Sequence, residues 1–329
     1  MPKQATIEVL RTNLREHPAV KAWSELQPDR VEPEWIETLR EGKTSSLYRL
    51  EGVGMGGSAV IAKRSRRGTL PVEHKMYTEV LPHFPMPSLR CYGFFEKPDD
   101  KFCWLFLEDA GGEQYSPHIE AHQALTARWL GTLHTTIAPA GLDIQLPDRG
   151  PNYYLEHLQL AGGAIQQQLG NPTFHLDYQA VLESIASQLH FLENRWSLVE
   201  DFCNSMPRTI VHGDLVAKNV RIRMSATGIT LLPFDWETAG WGVPAADLAW
   251  SRHKAVSPDI AVYWSIVQPF WPHLDLQDIR KLADFGRVFR SLISVSWEKW
   301  SLRYPWAEGN MRMYEANLAD SIRTLGWKK

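Results

Sequence analysis

The chain is poor in cysteine. Only Cys91, Cys103 and Cys203 occur in 329 residues, no two of them forming a CxxC pair, and so odd a scatter argues against a disulfide framework or a cysteine metal site. A reducing compartment follows. Long apolar runs are also missing. The longest, such as CWLFL at 103–107, fall far short of the roughly 18 residues that span a bilayer, so no membrane role is expected. Neither sign of charge is in excess. The 35 Lys and Arg stand against 38 Asp and Glu, which leaves no electrostatic footprint for nucleic acid or an anionic surface. The first twenty residues carry Glu8 and Glu16 and no uninterrupted apolar core, unlike a secretory signal. Internal repeats and low-complexity tracts are absent. The expectation is a cytoplasmic globular protein, monomer or homodimer, with one large domain or two lobes.

What is present changes texture along the chain. Ile7, Leu10 and Leu14 follow a helical spacing, which predicts one or two leading helices over residues 5–26. From 35 to 109, WIETL, SLYRLEG, SAVIAKR, LRCYGFF and FCWLFLE are short β-branched or aromatic segments between turn-rich residues. They predict an antiparallel sheet, interrupted after the third strand by a helix in PVEHKMYTEVLPHF. After EDAGGE the pattern turns helical, with one stripe at Leu125, Trp129, Leu133 and Ile137 and another at Val181, Ile185, Leu189, Leu192 and Trp196. Helical spacing returns near 278–302 and 311–326, whereas AGGAIQQQLGNPTF reads as a loop or a loosely held helix. Between these helices lies an island of short apolar runs, RTIVHGDLVAKNVRIRM and GITLLPFDWE, suited to buried strands.

The chemistry concentrates in that island. It offers Asp214, an amide at Asn219 five residues on, and a second carboxylate at Asp235 beyond a hairpin. A carboxylate and an amide oxygen are hard ligands suited to magnesium, which keeps several waters and also binds substrate phosphates. Asp214 is left to accept a proton. A lone HGD would be weak, because Gly-Asp also makes an ordinary turn.

HGDLVAKN followed by FDWE resembles the catalytic loop and metal-binding segment of the aminoglycoside phosphotransferase family, small-molecule kinases related to the protein-kinase fold. The resemblance implies an α+β, bilobal fold: a small antiparallel-sheet lobe with one helix, and a larger, mainly helical lobe. The corresponding divisions are an N-terminal helical extension at 1–34, the nucleotide-binding sheet lobe at 35–109 and the catalytic lobe at 110–329. It implies Asp214 as catalytic base, with Asn219 and Asp235 on magnesium. VIAK resembles the strand that supplies the nucleotide lysine, Lys63, and EHKMY the helix that supplies its partner Glu73, with Glu79 as competitor. LFLEDAGG resembles the hinge whose backbone meets the adenine, at Glu108 and Ala110; LGTLH is a common family helix. Asp247 resembles an aspartate that braces the catalytic loop. Glu237 either assists the metal or faces solvent.

The implied reaction is ATP-dependent, or GTP-dependent, phosphorylation of a hydroxyl on a sugar, nucleoside or antibiotic, the last pointing to antibiotic resistance. The alternative is a non-catalytic nucleotide-binding or scaffold protein of the same fold. Only eleven residues separate Asp235 from Asp247 and no APE-like stretch follows, which leaves no peptide-binding activation segment and favours a small acceptor. Charge does not choose that acceptor. Residues 138–210 hold eight acidic side chains against three Arg, while 241–329 hold nine against twelve basic ones; an uncharged or weakly charged hydroxyl compound is expected. Eight of the fourteen tryptophans fall after residue 240, and most are expected in helix-packing core.

One further stretch invites a phosphate reading. EGVGMGGSAVIAK, 51–63, is glycine-rich and ends in lysine. Only one strand fits between GVGMGG and Lys63, so the glycines belong to the turn before that strand. The phosphate-covering loop then falls upstream, in REGKTSSLY, where Gly42, Ser45 and Ser46 offer backbone and hydroxyl donors.

Overall fold

A computed structural model describes residues 8–27, 32–68, 70–136, 144–225, 228–249 and 255–327. The chain divides into two compact units, Met1–Gln114 with Asn219–Thr238, and Tyr115–Lys218 with Ala239–Lys329. Elements are numbered in chain order.

The first unit is built on a six-stranded antiparallel sheet of order β1-β2-β3-β4-β6-β5. Its strands are β1 (Glu8–Leu10), β2 (Ile36–Arg40), β3 (Ser45–Leu50), β4 (Val60–Arg66), β5 (Cys91–Glu96) and β6 (Phe102–Glu108). Helix α1 (Pro18–Leu26) precedes β2, and α2 (Leu70–Lys75) joins β4 to β5. Strand side chains alternate between faces, and on one face α1 lays Val20 and Trp23 over Tyr48, Leu50, Val60, Ala62, Trp104 and Phe106. The Trp23 ring lies 5.2 Å from Phe106 and 5.7 Å from Tyr92. The alternation therefore turns Lys63, next to Ala62, to the opposite face, in register with Leu47 and Leu105. A second small sheet sets β7 (Glu113–Gln114) beside the hairpin β10 (Val220–Ser225) and β11 (Gly228–Pro233).

The five sheet segments and the interposed helix lie where the sequence predicts them. The helix over 5–26 is corrected. Glu8–Leu10 is an edge strand paired antiparallel to β2, and Asn13 is left-handed at φ 56°, which breaks helix between Leu10 and Leu14. A 3-10 turn at Leu14–Glu16 intervenes, and α-helix begins only at Pro18, whose fixed φ suits the first turn, with His17 Nδ1 accepting from the Ala19 amide. Ile7 lies outside the described residues. The glycines of 52–57 occupy the β3–β4 turn as expected, Gly52, Gly56 and Gly57 at φ 82°, 67° and 79°, where side chains are strained.

The second unit is mainly helical: α3 (Glu120–Thr136), α4 (Pro151–Gln166), α5 (Leu176–Glu193), α6 (Trp196–Asn204), α7 (Ala245–Leu248), α8 (Ile260–Val267), α9 (Leu276–Trp297) and α10 (Glu308–Thr324). A three-stranded sheet orders β8 (Asp148–Arg149), β12 (Gly240–Gly242) and β9 (Thr209–Val211), with β12 parallel to β8 and antiparallel to β9. Both apolar stripes are helical, Ile137 and Trp250 lying outside the described residues. Of AGGAIQQQLGNPTF, AGGAIQ closes α4 and the remainder forms the loop that leads to α5. Helix α9 runs through the core, Phe289 stacked on Tyr154 at 3.9 Å and Phe285 on Phe202 at 4.2 Å. Gly286 lets α9 approach α7: a Cβ there would lie 1.8 Å from the Ala245 carbonyl oxygen, closer than atoms pack. Among the described residues no helix is long and apolar enough to cross a membrane.

Candidate functional site

In the first unit Glu73, predicted as the partner of Lys63, and Asp235, predicted for the metal, both meet Lys63. Its Nζ donates to Glu73 Oε2 at 2.6 Å and to Asp235 Oδ1, and lies 3.6 Å from Glu237 Oε2. Lys63 is 8% exposed at its side chain and Glu73 1%, so the pair is almost entirely shielded from water. Burial pulls the Lys63 ammonium down, but Glu73, Asp235 and Glu237 together outweigh it and hold it above the ordinary lysine value. The cation persists at every physiological pH. Glu79, the competitor, is exposed.

Glu73 does a second job. Its Oε1 accepts the Asp235 amide at 3.1 Å, fixing the backbone where Asp235 stands left-handed at φ 70°. Few non-glycine residues tolerate that conformation, aspartate among the better ones. Helix α2 passes directly into a π turn over Met76–Val80, a distortion common beside functional groups. Glu237, at 37% exposure, stays within ion-pair reach of Lys63.

Asn219 and Asp235 sit at the same end of the β10–β11 hairpin: Val220 pairs with Pro233, and the Phe234 amide donates to the Asn219 carbonyl at 3.0 Å. Asn219 is 3% exposed. Among the described residues no group of three or more His, Cys, Asp or Glu is arranged to hold a metal ion. An amide oxygen and one carboxylate nevertheless suit magnesium, which takes its remaining ligands from waters and substrate phosphates.

The predicted hinge is clamped by a residue that sequence reasoning missed. Arg223 on β10 donates to Glu108 Oε1 at 2.6 Å, to the Asp109 carbonyl at 2.9 Å, and to the Ala110 carbonyl at 3.0 and 2.7 Å. An arginine on a short hairpin strand reads as a solvated charge, so no sequence signal marks it. The predicted phosphate loop is brought only half to the Lys63 face. Ser45 pairs with Ser65 on that face and accepts from Arg40 at 2.9 Å. Ser46 is 1% exposed on the face of Tyr48 and Leu50, so its hydroxyl is withdrawn as a donor beside Lys63, because one residue of shift in a strand reverses the side chain.

The second unit holds Asp214, braced from beneath. Asp247, in the first turn of α7, accepts the His212 amide at 2.7 Å and the Gly213 amide at 2.9 Å. His134 Nε2 stands 3.4 Å from the same carboxylate, and His134 Nδ1 lies 2.9 Å from the Tyr263 hydroxyl. Burial pushes the Asp247 carboxyl up, but His134, His212 and the amide bonds hold it below the usual range. The loop carrying Asp214 thus hangs on a buried anion. His212, fully buried, accepts the Asp214 amide on Nδ1 at 3.4 Å and acts in bracing. Asp214 itself meets Arg290 of α9, whose Nη2 donates to its Oδ1 at 3.0 Å. Nothing in the sequence signals this partner, 76 residues away in a helix of mixed charge.

The late tryptophans correct an expectation. Of the seven described after residue 240, not one belongs to the buried core; Trp297, Trp300 and Trp306 are 51%, 76% and 66% exposed. The fully buried indoles are Trp23, Trp129 and Trp236. Around α9, helix packing uses Phe and Tyr instead.

Residues 35–288 match the family model described as phosphotransferase enzyme family. No curated protein matches the chain in sequence. Among solved structures, a GDP complex of an aminoglycoside 2'-phosphotransferase-IIIa mutant is similar with a TM-score of 0.60 at 12% identity, covering 93% of this chain and 98% of that one. Choline kinase from Cryptosporidium parvum Iowa II gives a TM-score of 0.55 at 12% identity, over 88% and 90%. Ethanolamine kinase from Plasmodium vivax gives 0.52 at 16%, over 87% and 82%. At such identities these structures establish the fold, and the family model establishes the kinship. The chain belongs to the phosphotransferase enzyme family and has the protein-kinase-like fold of small-molecule kinases.

Proposed function

We propose that the protein transfers the γ-phosphoryl group of ATP, with magnesium, to a hydroxyl of a small molecule such as a sugar, nucleoside or antibiotic; GTP is the second candidate donor. The observation that carries this reading is the buried Lys63 held between Glu73 and Asp235. A cation kept at that price in desolvation, beside a carboxylate suited to magnesium, fits a polyphosphate. In this reading Lys63 takes the nucleotide phosphates and the carbonyls and amides near Glu108 and Ala110 line the adenine. Asn219 and Asp235 hold magnesium, which when bound spreads the charge of the phosphates. Asp214 orients the acceptor hydroxyl. Because the transition state of phosphoryl transfer is loose, little proton transfer is needed early, and a carboxylate that positions the hydroxyl serves.

A peptide acceptor is disfavoured by what separates Asp235 from Asp247: a turn at Trp236–Thr238, β12 and the start of α7 take up eight of the eleven residues. The test is a screen of hydroxyl compounds with ATP or GTP and magnesium, read by mass spectrometry. At least one acceptor should gain one phosphoryl group, and ATP analogue with magnesium should raise the melting temperature. Absence of both nucleotide binding and transfer across the panel would return the chain to the scaffold reading.

A further inference from the structure

Arg290 is 17% exposed and Asp214 14% at their side chains, so the guanidinium is largely shielded yet spends one donor on Asp214 Oδ1. Among the described residues that is its one polar contact, and an arginine carries five N–H donors in a rigid fork. Donors shielded this far from water and beside a candidate base call for oxygen acceptors, and the fork matches a carboxylate or phosphate in two-pronged fashion. The setting adds to this. Gly286, one turn earlier, seats α9 on α7, which fixes where Arg290 projects. One and two turns later on the same helical face come Ser294, half-buried, and Trp297, 51% exposed. Ser296 bonds His157 of α4 at 2.9 Å, and the Arg149 guanidinium lies 4.4 Å from the Tyr153 ring on that helix. Burial first, then Arg149 and Lys299, bring the His157 imidazole down to about 4, so this ring is neutral at neutral pH. Asp214 and Glu156 are the acids felt there, both through Tyr153.

Resting on the phosphotransferase reading, we propose that Arg290, with Ser294 and Trp297 along the same face of α9, binds the acceptor, and that the acceptor is a hydroxyl compound bearing a carboxylate or phosphate close to the hydroxyl phosphorylated. The anion takes the free donors of Arg290, whose remaining donor stays on Asp214 Oδ1, which sets the anion beside the carboxylate assigned to the hydroxyl. A cationic group set against the guanidinium is disfavoured at the same place. This replaces the expected uncharged or weakly charged acceptor with an anionic one.

The test uses matched acceptors with ATP and magnesium: glycerol, glycerate and glycerol phosphate; glucose, gluconate and glucose phosphate; and kanamycin as polycation. Wild type should favour the anionic members by at least tenfold in kcat/KM. Arg290→Gln should raise KM for them at least tenfold while leaving KM for ATP unchanged, and Arg290→Lys should recover part of the preference. If Arg290→Gln melts below the assay temperature, the Lys variant carries the comparison, with a smaller loss in the same direction. Wild type that binds nucleotide but prefers neutral or cationic members, or uses no anionic one, overturns the proposal; so does a preference that survives both substitutions. Comparable carboxylate and phosphate turnover leaves the shared anion chemistry standing, and a preference for one identifies it. No nucleotide binding and no transfer to any compound would overturn the phosphotransferase reading, and this one with it.

Discussion

Lys63 and Glu73 carry opposite charges in a place neither would occupy alone. Burial pushes the Glu73 carboxyl upward, and Lys63 is the charge that offsets this. Lys63→Met should therefore lower stability by about 3 kcal/mol, the usual result of orphaning a buried charge. The sign with pH follows. An orphaned carboxyl whose folded-state pKa is raised above its unfolded value favours folding only while protonated, so the loss deepens as pH rises above the unfolded glutamate value of about 4.3. Adding Glu73→Gln removes the orphan, keeps an oxygen for the Asp235 amide, and should restore most of the stability but none of the phosphoryl transfer. Chemical denaturation across pH, with transfer assayed on the same preparations, separates the two effects. Recovery of transfer in the double variant would remove Lys63 from the chemistry. This pair was legible in the sequence because VIAK and EHKMY carry it locally. Arg290 and Arg223 were not, since their meaning lies in partners far along the chain: Asp214 for one, and the backbone of 109–110 for the other.

At the scale of elements, periodicity identified every strand of the main sheet except β1, and it failed where three apolar residues mimicked a helix. Ile7, Leu10 and Leu14 match helical spacing, yet β1 gains backbone pairing with β2, and so short an edge strand leaves no alternation to read. Helix α1 closes one face of that sheet, with Trp23 1% exposed among Tyr48, Leu50 and Phe106. Trp23→Ala should cost about 3–5 kcal/mol, the range for deleting a buried aromatic. Differential scanning calorimetry would register it as a lowered melting temperature. A change near zero would mean that the N-terminal segment is an appendage and not part of the sheet's core. The late tryptophans failed for a related reason: composition says how many indoles a region has, whereas burial depends on which helix face each one occupies.

For the whole molecule, composition excluded a disulfide scaffold and placed the chain among ordinary globular proteins, but it said nothing of the acceptor, because net charge averages over surfaces that do different work. The residues of the proposed site divide between the units: Lys63, Glu73, Asn219 and Asp235 in the first, Asp214 with His212, Asp247 and Arg290 in the second. Assigning transfer to that set makes Asp214 the residue on which the account stands. The most direct measurement is steady-state transfer by Asp214→Ala, set beside its affinity for ATP and magnesium. The account predicts transfer reduced on the order of 10²–10⁴-fold, the span expected for losing a positioned base, with nucleotide affinity changed less than threefold. Transfer at the wild-type rate would contradict it.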